Sequence, residues 1–253
     1  MQVMVLDERV IGVAAVRAEP APDGAMPARI VLEAKARRED RAVALVQASV
    51  DMIRAAGGER IRLYLPSQTN WLQVAAEQAG FSAVRTIAHM LLPASAPTPT
   101  AEPVPGVKLR SIRPGEDHLV LAALNRAWSG TWNFVEIPFE MLEADLDGQR
   151  EGMLLGVDAA DKIIATCHAV FDRREQNPDG NPRAWISNLT VDPDFRQRGI
   201  ARAMLSAGIS YLRGRGASSI TLGVDADNPA PFRLYQSVGF EISSSSQAWD
   251  RLI

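Results

Sequence analysis

Shifted forward by the distance that separates Arg37 from Arg196, residues 30–81 fall on a second copy of themselves without a gap. Ala42 meets Ala201, Ala44 meets Ala203 and Arg54 meets Arg213. Gly57, Ile61 and Leu63 meet Gly216, Ile220 and Leu222, and Gly80-Phe81 meets Gly239-Phe240. Chance does not hold one offset over such a length, and both copies read strand, helix, strand, helix. The chain must therefore fold as two related units, each built from its own strands and helices.

The copies also differ. Gly199 is matched by Asp40, and Tyr235 by Ala76. The first copy has no counterpart of residues 107–150. Between the copies, residues 93–106 hold five prolines. Such a stretch cannot be a helix interior or a central strand, so it reads as a semi-stiff linker. The expected organisation is a truncated, degenerate unit over residues 1–92, a linker over 93–106 and a complete unit over 107–253.

With 253 residues, 47 % hydrophobic and 23 % charged, the chain can bury real cores. A net charge of −3 argues against a general nucleic-acid binder. Cys167 is the one cysteine, so no internal disulfide can form, which fits a reducing compartment. No run approaches the ~20 apolar residues that span a bilayer. The opening Met-Gln-Val-Met-Val-Leu-Asp-Glu lacks the basic region and apolar core of a signal peptide. A cytoplasmic protein without membrane or nucleic-acid partners is expected.

In the complete copy, alternation predicts a strand over 107–112. A helix is expected over 114–128, with Leu119, Leu121, Ala122, Leu124 and Ala127 largely on one side. A second follows over 138–147, with Phe139, Leu142 and Leu146 at helical spacing. Residues 152–158 and 162–171 read as a hairpin turning at Ala159-Ala160-Asp161. Trp185, Ser187, Leu189 and Val191 alternate in the next strand. A helix apolar around much of its girth runs over 199–213, and a strand over 218–224. A helix opened by proline runs over 229–237, and a final strand region over 241–253. The class is α/β, with mixed, mostly antiparallel sheets flanked by helices in both units.

Residues 189–201 run from strand to basic loop to helix start. A helix start offers unpaired backbone N–H groups and the positive end of the helix dipole, which favour an anion. Gly199 lets backbone approach a ligand closely. Arg196, Arg198 and Arg202 can grip phosphate oxygens. The stretch suits a phosphorylated ligand.

The loop Arg196-Gln197-Arg198-Gly199-Ile200-Ala201 fits Arg/Gln-x-x-Gly-x-Gly/Ala. Downstream stands Asp225-Ala226-Asp227-Asn228-Pro229-Ala230-Pro231-Phe232-Arg233-Leu234-Tyr235-Gln236-Ser237-Val238-Gly239-Phe240. Both stretches, in this order with a strand between them, resemble the GCN5-related N-acetyltransferase (GNAT) superfamily. The resemblance covers residues 107–253 well and 1–92 as a degenerate copy. Within the superfamily, the tandem layout is similar to the mycothiol synthases and their relatives. The resemblance implies acetyl-CoA or another acyl-CoA as cofactor, and no metal. It implies a pyrophosphate on the N–H groups from Arg198 to Ala203, through Gly199, Ile200, Ala201 and Arg202. It implies a pantetheine arm laid like an added strand beside Leu189, Thr190 and Val191 and held by Asn228, with Tyr235 near the thioester sulfur.

In the chemistry so implied, a neutral amine attacks the thioester carbonyl and CoA leaves as a thiolate. Alkyl amines have pKa values near ~10, so the acceptor must first lose a proton. The thiolate must gain one, and Tyr235 can supply it. A backbone N–H near Val191 can donate to the carbonyl oxygen. The general base is less defined: Glu136, in the loop between the first two helices of the complete copy, is one candidate. His168 is another, and a water or backbone group is a third. Glu136, Glu140, Glu143, Asp145 and Asp147 form either a solvated face or an acidic rim that draws a cationic amine. Trp128, Trp132 and Phe134 either floor an acceptor pocket or pack in the loop. Cys167 has no evident activating partner and is not expected to carry the acyl group.

The expected function is acyl transfer to a primary amine, most simply of a small molecule, with a protein or peptide amine as the other acceptor. The alternative is an acyl-CoA-binding sensor or pseudoenzyme that has the same phosphate site without turnover.

Overall fold

The computed structural model describes residues 1–17, 19–21, 23–176 and 181–253. The first copy runs β1 (Gln2–Leu6), β2 (Arg9–Val16), β3 (Met26–Leu32), α1 (Glu39–Ala55), β4 (Arg60–Pro66), α2 (Asn70–Gln78) and β5 (Ser82–Leu92). The second opens with β6 (Lys108–Ser111), α3 (Asp117–Trp128), α4 (Phe139–Leu146), β7 (Met153–Val157), β8 (Ile163–Gln176) and β9 (Pro182–Val191). It closes with α5 (Ile200–Gly214), β10 (Ile220–Asp225), α6 (Pro229–Val238) and β11 (Glu241–Leu252). The repeat is carried through element by element. Ala55, the end of α1, matches Gly214, the end of α5; Asn70 and Pro229 open α2 and α6.

The chain forms two compact units that are not contiguous in sequence. One comprises Met1–His89, Val224–Pro229 and Ile242–Ile253; the other comprises Met90–Gly223 and Ala230–Glu241. In the first, the strand order is β1-β2-β3-β4-β11-β5. β3 and β4 run parallel, while β1–β2, β2–β3 and β4–β11 are antiparallel. In the second, the order is β10-β9-β8-β7-β6, with β9–β10 parallel and the rest antiparallel.

The last strand departs from the sequence-based division, which groups residues 241–253 with the complete copy. β11 pairs with β4 from Ser246 opposite Pro66 to Leu252 opposite Arg60. The physical reason is a buried charge. Arg62 on β4 is 1 % exposed, and its Nε and Nη2 donate to the Asp250 carboxylate of β11 at 2.7 and 2.6 Å. Nη2 also donates to Asp23 at 2.7 Å. Burial alone would lower the Arg62 pKa, but the two carboxylates more than offset this and raise it.

α1 places Ala42, Val46, Val50 and Ile53 on one face, at helical spacing, against Ile61, Leu63 and Leu65 of β4 and Leu72, Ala75 and Ala76 of α2. Trp249 of β11 joins this core. In the second unit, Val120 and Leu124 of α3 and Leu142 and Leu146 of α4 cover Met153, Leu155 and Val157 of β7. The buried stripe of α3 is Val120, Leu124 and Ala127, while Leu119 is 60 % exposed. Apolar residues run almost unbroken from 119 to 124, so spacing alone allows two stripes, and the sheet below selects the one at i, i+4, i+7.

Residues 93–106 contain no helix or strand and lie against the second unit. Arg213 Nη2 donates to the Pro93 carbonyl at 2.7 Å. Ala101, Glu102, Pro103 and Val104 help wall a cleft of about 240 Å³ with Ile200 and Ala203 of α5. No helix among the described residues is long and apolar enough to cross a membrane.

Candidate functional site

The loop from β9 to α5 is set by local chemistry. Asp192 opens a 3-10 turn, Pro193–Phe195, and its carboxylate accepts the Asp194 N–H at 3.0 Å. Asp192 is 6 % exposed and pairs with Arg126 at 2.9 Å and Lys162 at 3.5 Å. Burial pushes its pKa up, but the Arg126 and Asp194 hydrogen bonds and the two cations more than offset this and hold it low. Beyond the turn, Gln197 (φ 63) and Gly199 (φ 79) are both left-handed, a backbone form that gathers N–H groups into an anion-sized concavity.

Gly199 is the N-cap of α5 and provides no side-chain cap. A Cβ at Gly199 would meet nothing within 4 Å, so the space above it is open. The Ala203 N–H bonds the Gly199 carbonyl at 3.2 Å. The N–H groups of Ile200, Ala201 and Arg202 thus precede the first intrahelical bond of α5. No acidic residue stands in its first turn.

The arginines divide their work. Arg198 donates to the Asp194 carbonyl at 3.0 Å and lies over the Phe195 ring. Arg202 bonds Ser237 Oγ at 2.6 Å, tying α5 to α6. Arg196, expected among the phosphate-gripping residues, is exposed but gives its guanidinium to backbone carbonyls. Its Nε donates to the Val191 carbonyl at 3.2 Å and its Nη2 to Ala127 at 2.9 Å. It clasps the end of β9 to the end of α3.

β9 is paired on one side only over its last residues. Leu189, Thr190 and Val191 oppose Cys167, Thr166 and Ala165 of β8. Toward β10 the register holds at one position, Thr221 opposite Trp185. A bulge at Ser187, between the His168 and Ala169 pairings, bends β9 where the strands part. Among the described residues, no register with β10 extends along the edge from Ile186 to Val191.

Tyr235 projects from α6, 7 % exposed and edge-on to Phe240. Its hydroxyl has no hydrogen-bond partner among the described residues. Burial, with the Cys167 thiol adding to it, raises the phenol pKa, so the group holds its proton well above neutrality. Cys167 is fully buried beside Gly208 of α5, and burial pushes its thiol up to about 12. It is not a nucleophile in this setting.

His168 is 1 % exposed, and neither ring nitrogen has a hydrogen-bond partner among the described residues. Burial lowers its pKa, opposed only in part by Asp145 and the Gln149 backbone, so the ring stays neutral. Glu136 is exposed in the loop between α3 and α4. Asn125 fixes that loop: its side chain accepts the Ile137 N–H at 2.8 Å and donates to the Ile137 carbonyl at 3.2 Å. Glu140, Glu143, Asp145 and Asp147 are all exposed. Trp128 is 36 % exposed, and Trp132 and Phe134 are half-buried. Asn228 is exposed in the turn before α6, its N–H on the Asp225 carbonyl at 3.1 Å. Arg85 steadies that turn through Asp225 at 2.8 Å.

The matching start of α1 is built differently. Arg38 is extended (φ −136), and Asp40, the match of Gly199, is already helical. Arg38 grips Asp40 at 3.0 and 3.3 Å. Gln78 bonds Glu39. Arg37, the match of Arg196, lies over Trp71.

Two residues that shape the site escaped the sequence reading. Asp192-Pro193 carried a usable signal, an acidic N-cap followed by proline. Asn125 carried none, because its partner is a backbone group on another element.

Residues 119–240 match the Acetyltransferase (GNAT) family. A mycothiol acetyltransferase of Acidothermus cellulolyticus is 31 % identical over 203 residues, covering 76 % of the chain and 62 % of that protein. The chain thus spans less than two thirds of that relative's length. A GCN5-related N-acetyltransferase from Sphaerobacter thermophilus has the same fold, with a TM-score of 0.78 at 22 % identity over 97 % of this chain and 78 % of that one. A tandem GNAT protein from the clavulanic acid biosynthesis pathway gives 0.73 at 17 % identity over 99 % of this chain and 81 % of that one. The Gly199 helix start and the β9 edge fall within the family match, and residues 119–240 form a domain of the GNAT family.

Proposed function

We propose that the chain transfers an acetyl or other acyl group from acyl-CoA to a primary amine of a small molecule, using only its second copy. The observation that carries this reading is the α5 start: two left-handed residues, open space above Gly199 and no acid in the first turn. The CoA pyrophosphate takes the N–H groups from Arg198 to Arg202, the Ala203 N–H being bound to the Gly199 carbonyl instead, and the pantetheine arm lies along Leu189, Thr190 and Val191. Asn228 is assigned a pantetheine contact by family resemblance.

Tyr235 is the proposed general acid. Its raised pKa keeps the phenol protonated, and its hydroxyl is not engaged elsewhere, so it can give a proton to the CoA thiolate. A backbone N–H of the open β9 edge near Val191 takes the carbonyl oxygen. Glu136, on the Asn125-pinned loop, is the proposed acceptor of the amine proton. The relatives' name, mycothiol acetyltransferase, favours a small-molecule acceptor over a protein one. The lone buried Cys167 suits a reducing cytoplasm.

The test pairs calorimetry with thiol release. Wild-type chain should bind CoA and release free thiol with some member of an amine panel. Tyr235→Phe should keep CoA affinity and lose about 10²–10⁴ in kcat. Unchanged kcat removes the acid role. CoA binding without thiol release from any amine supports the sensor reading, and no CoA binding overturns both.

A further inference from the structure

The turn that opens α6 is held by the last strand of the other copy. Ala226 donates its N–H to the Thr86 carbonyl of β5 at 2.9 Å. At the same offset in the first copy, Ser67 donates its N–H to the Ser245 carbonyl of β11 at 2.8 Å. The copies have exchanged their last strands, and one backbone bond marks the exchange in both. All four residues lie in the first unit. The side chains at the two joints differ. At the first, Ser245 Oγ donates to Ser67 Oγ at 2.8 Å. At the second, Arg85 Nη2 and Nε stand 2.8 and 3.0 Å from the Asp225 carboxylate, and Nε stands 3.8 Å from Asp227. Asp227 also accepts the Thr86 N–H at 3.2 Å. Asp225 accepts the Asp227 N–H at 3.0 Å, which closes the turn just ahead of Asn228.

We propose that Arg85, although it belongs to the first copy, is a positioning residue for acyl-CoA in the second. It holds Asp225 and Asp227 together, so that Asn228 meets the pantetheine arm. The inference rests on the pantetheine contact assigned to Asn228 above. Two carboxylates in one short turn repel, and Arg85 is a cation that lies against both. Arg85 and Asp225 are 28 and 25 % exposed, so water screens the pair only in part. At the matching joint the whole set is missing: Ser244 stands for Arg85, and Pro66 and Gln68 for the two aspartates. The charged clasp is thus present only where the turn leads to Asn228. Its effect falls on cofactor affinity and not on proton transfer. Tyr235 lies two helical turns beyond Asn228 and has its own anchor, buried edge-on to Phe240. The first copy serves the site through a strand rather than through a ligand of its own.

Calorimetry with CoA on the full chain tests this. Arg85→Gln should weaken binding about five- to tenfold, and Asn228→Ala about tenfold. In the double variant the losses should not multiply, because the contact that Arg85 positions is already gone. Its Kd should stay within about twofold of the Asn228→Ala value. Arg85→Lys keeps the charge against both carboxylates and should recover most of the affinity. Ser245→Ala, at the matching joint, should bind like wild type. Melting curves check that each variant is folded. A wild type that binds no CoA removes the functional reading and the inference with it. Where wild type binds CoA, an Arg85→Gln variant that binds equally well overturns the inference alone. So do losses that multiply in the double variant, a lysine variant as weak as the glutamine one, or a Ser245→Ala variant as weak as Arg85→Gln.

Discussion

The two copies put one backbone plan to opposite uses at the start of their long helix. At α5, Gln197 and Gly199 turn left-handed, nothing stands above Gly199 and the first turn has no acid. At α1, Glu39 and Asp40 are already helical, and Arg38 and Gln78 hold both carboxylates. The positive end of α1 is thus met by the chain's own acids. The arginine shared by both copies is not the difference. Arg37 rests on a tryptophan and Arg196 on two carbonyls. In the proposed function the anion site rests on a missing side chain and two left-handed residues, with Arg198 and Arg202 standing where the first copy has Glu39 and Val43.

The strongest way to break this contrast is to move the first copy's residue into the second. Gly199→Asp should weaken CoA binding about a hundredfold, since a like charge in the site costs ~3 kcal/mol. No clash contributes, because the space is open. Gly199→Asn carries the same backbone strain without the charge, and calorimetry should find most of the affinity retained. Equal losses in the two variants would assign the effect to backbone instead.

Next in size is the clasp. Arg196→Gln should raise the KM for acyl-CoA about tenfold, because two charged hydrogen bonds to the Val191 and Ala127 carbonyls are lost. Arg37→Gln in the first copy should leave KM unchanged. A kcat loss at constant KM would place Arg196 in the chemical step.

Asp192→Asn should cost about 1–2 kcal/mol of stability at neutral pH, read from urea unfolding. The carboxyl titrates below its usual range in the folded chain. Its contribution is therefore full above the unfolded value near ~3.9 and fades as pH falls through the lower folded value. Wild-type and variant curves should converge in acid. The matching Glu33 makes an exposed pair with Arg9, and Glu33→Gln should shift unfolding less. Smallest of all, Asp40→Gly should add no second CoA-binding event in calorimetry, because Glu39 and the extended Arg38 remain. A second event would show that one carboxylate alone closes α1.

Much of this was legible in the sequence where the determinants are local. The offset between copies follows from a repeat that needs no structure to be seen, and the proline-opened α6 and the hairpin turn at residues 159–161 from neighbours within a few positions. The Gly199 helix start was visible for the same reason. The carbonyl contacts of Arg196 were not, since its acceptor at Ala127 lies on a different element. The β4–β11 pairing was hidden too, because nothing near Arg62 announces that its carboxylate partner stands at Asp250.

That pairing sets an order of assembly. Asp250 is 188 positions from Arg62. During synthesis β4 is made long before β11, and until β11 arrives the Arg62 charge lacks its bidentate partner. The first copy, although translated first, must wait for the end of the chain to finish its sheet. Nascent chains truncated before residue 241 should thus present an incomplete first unit to chaperones and proteases, while the α5 region has already been made.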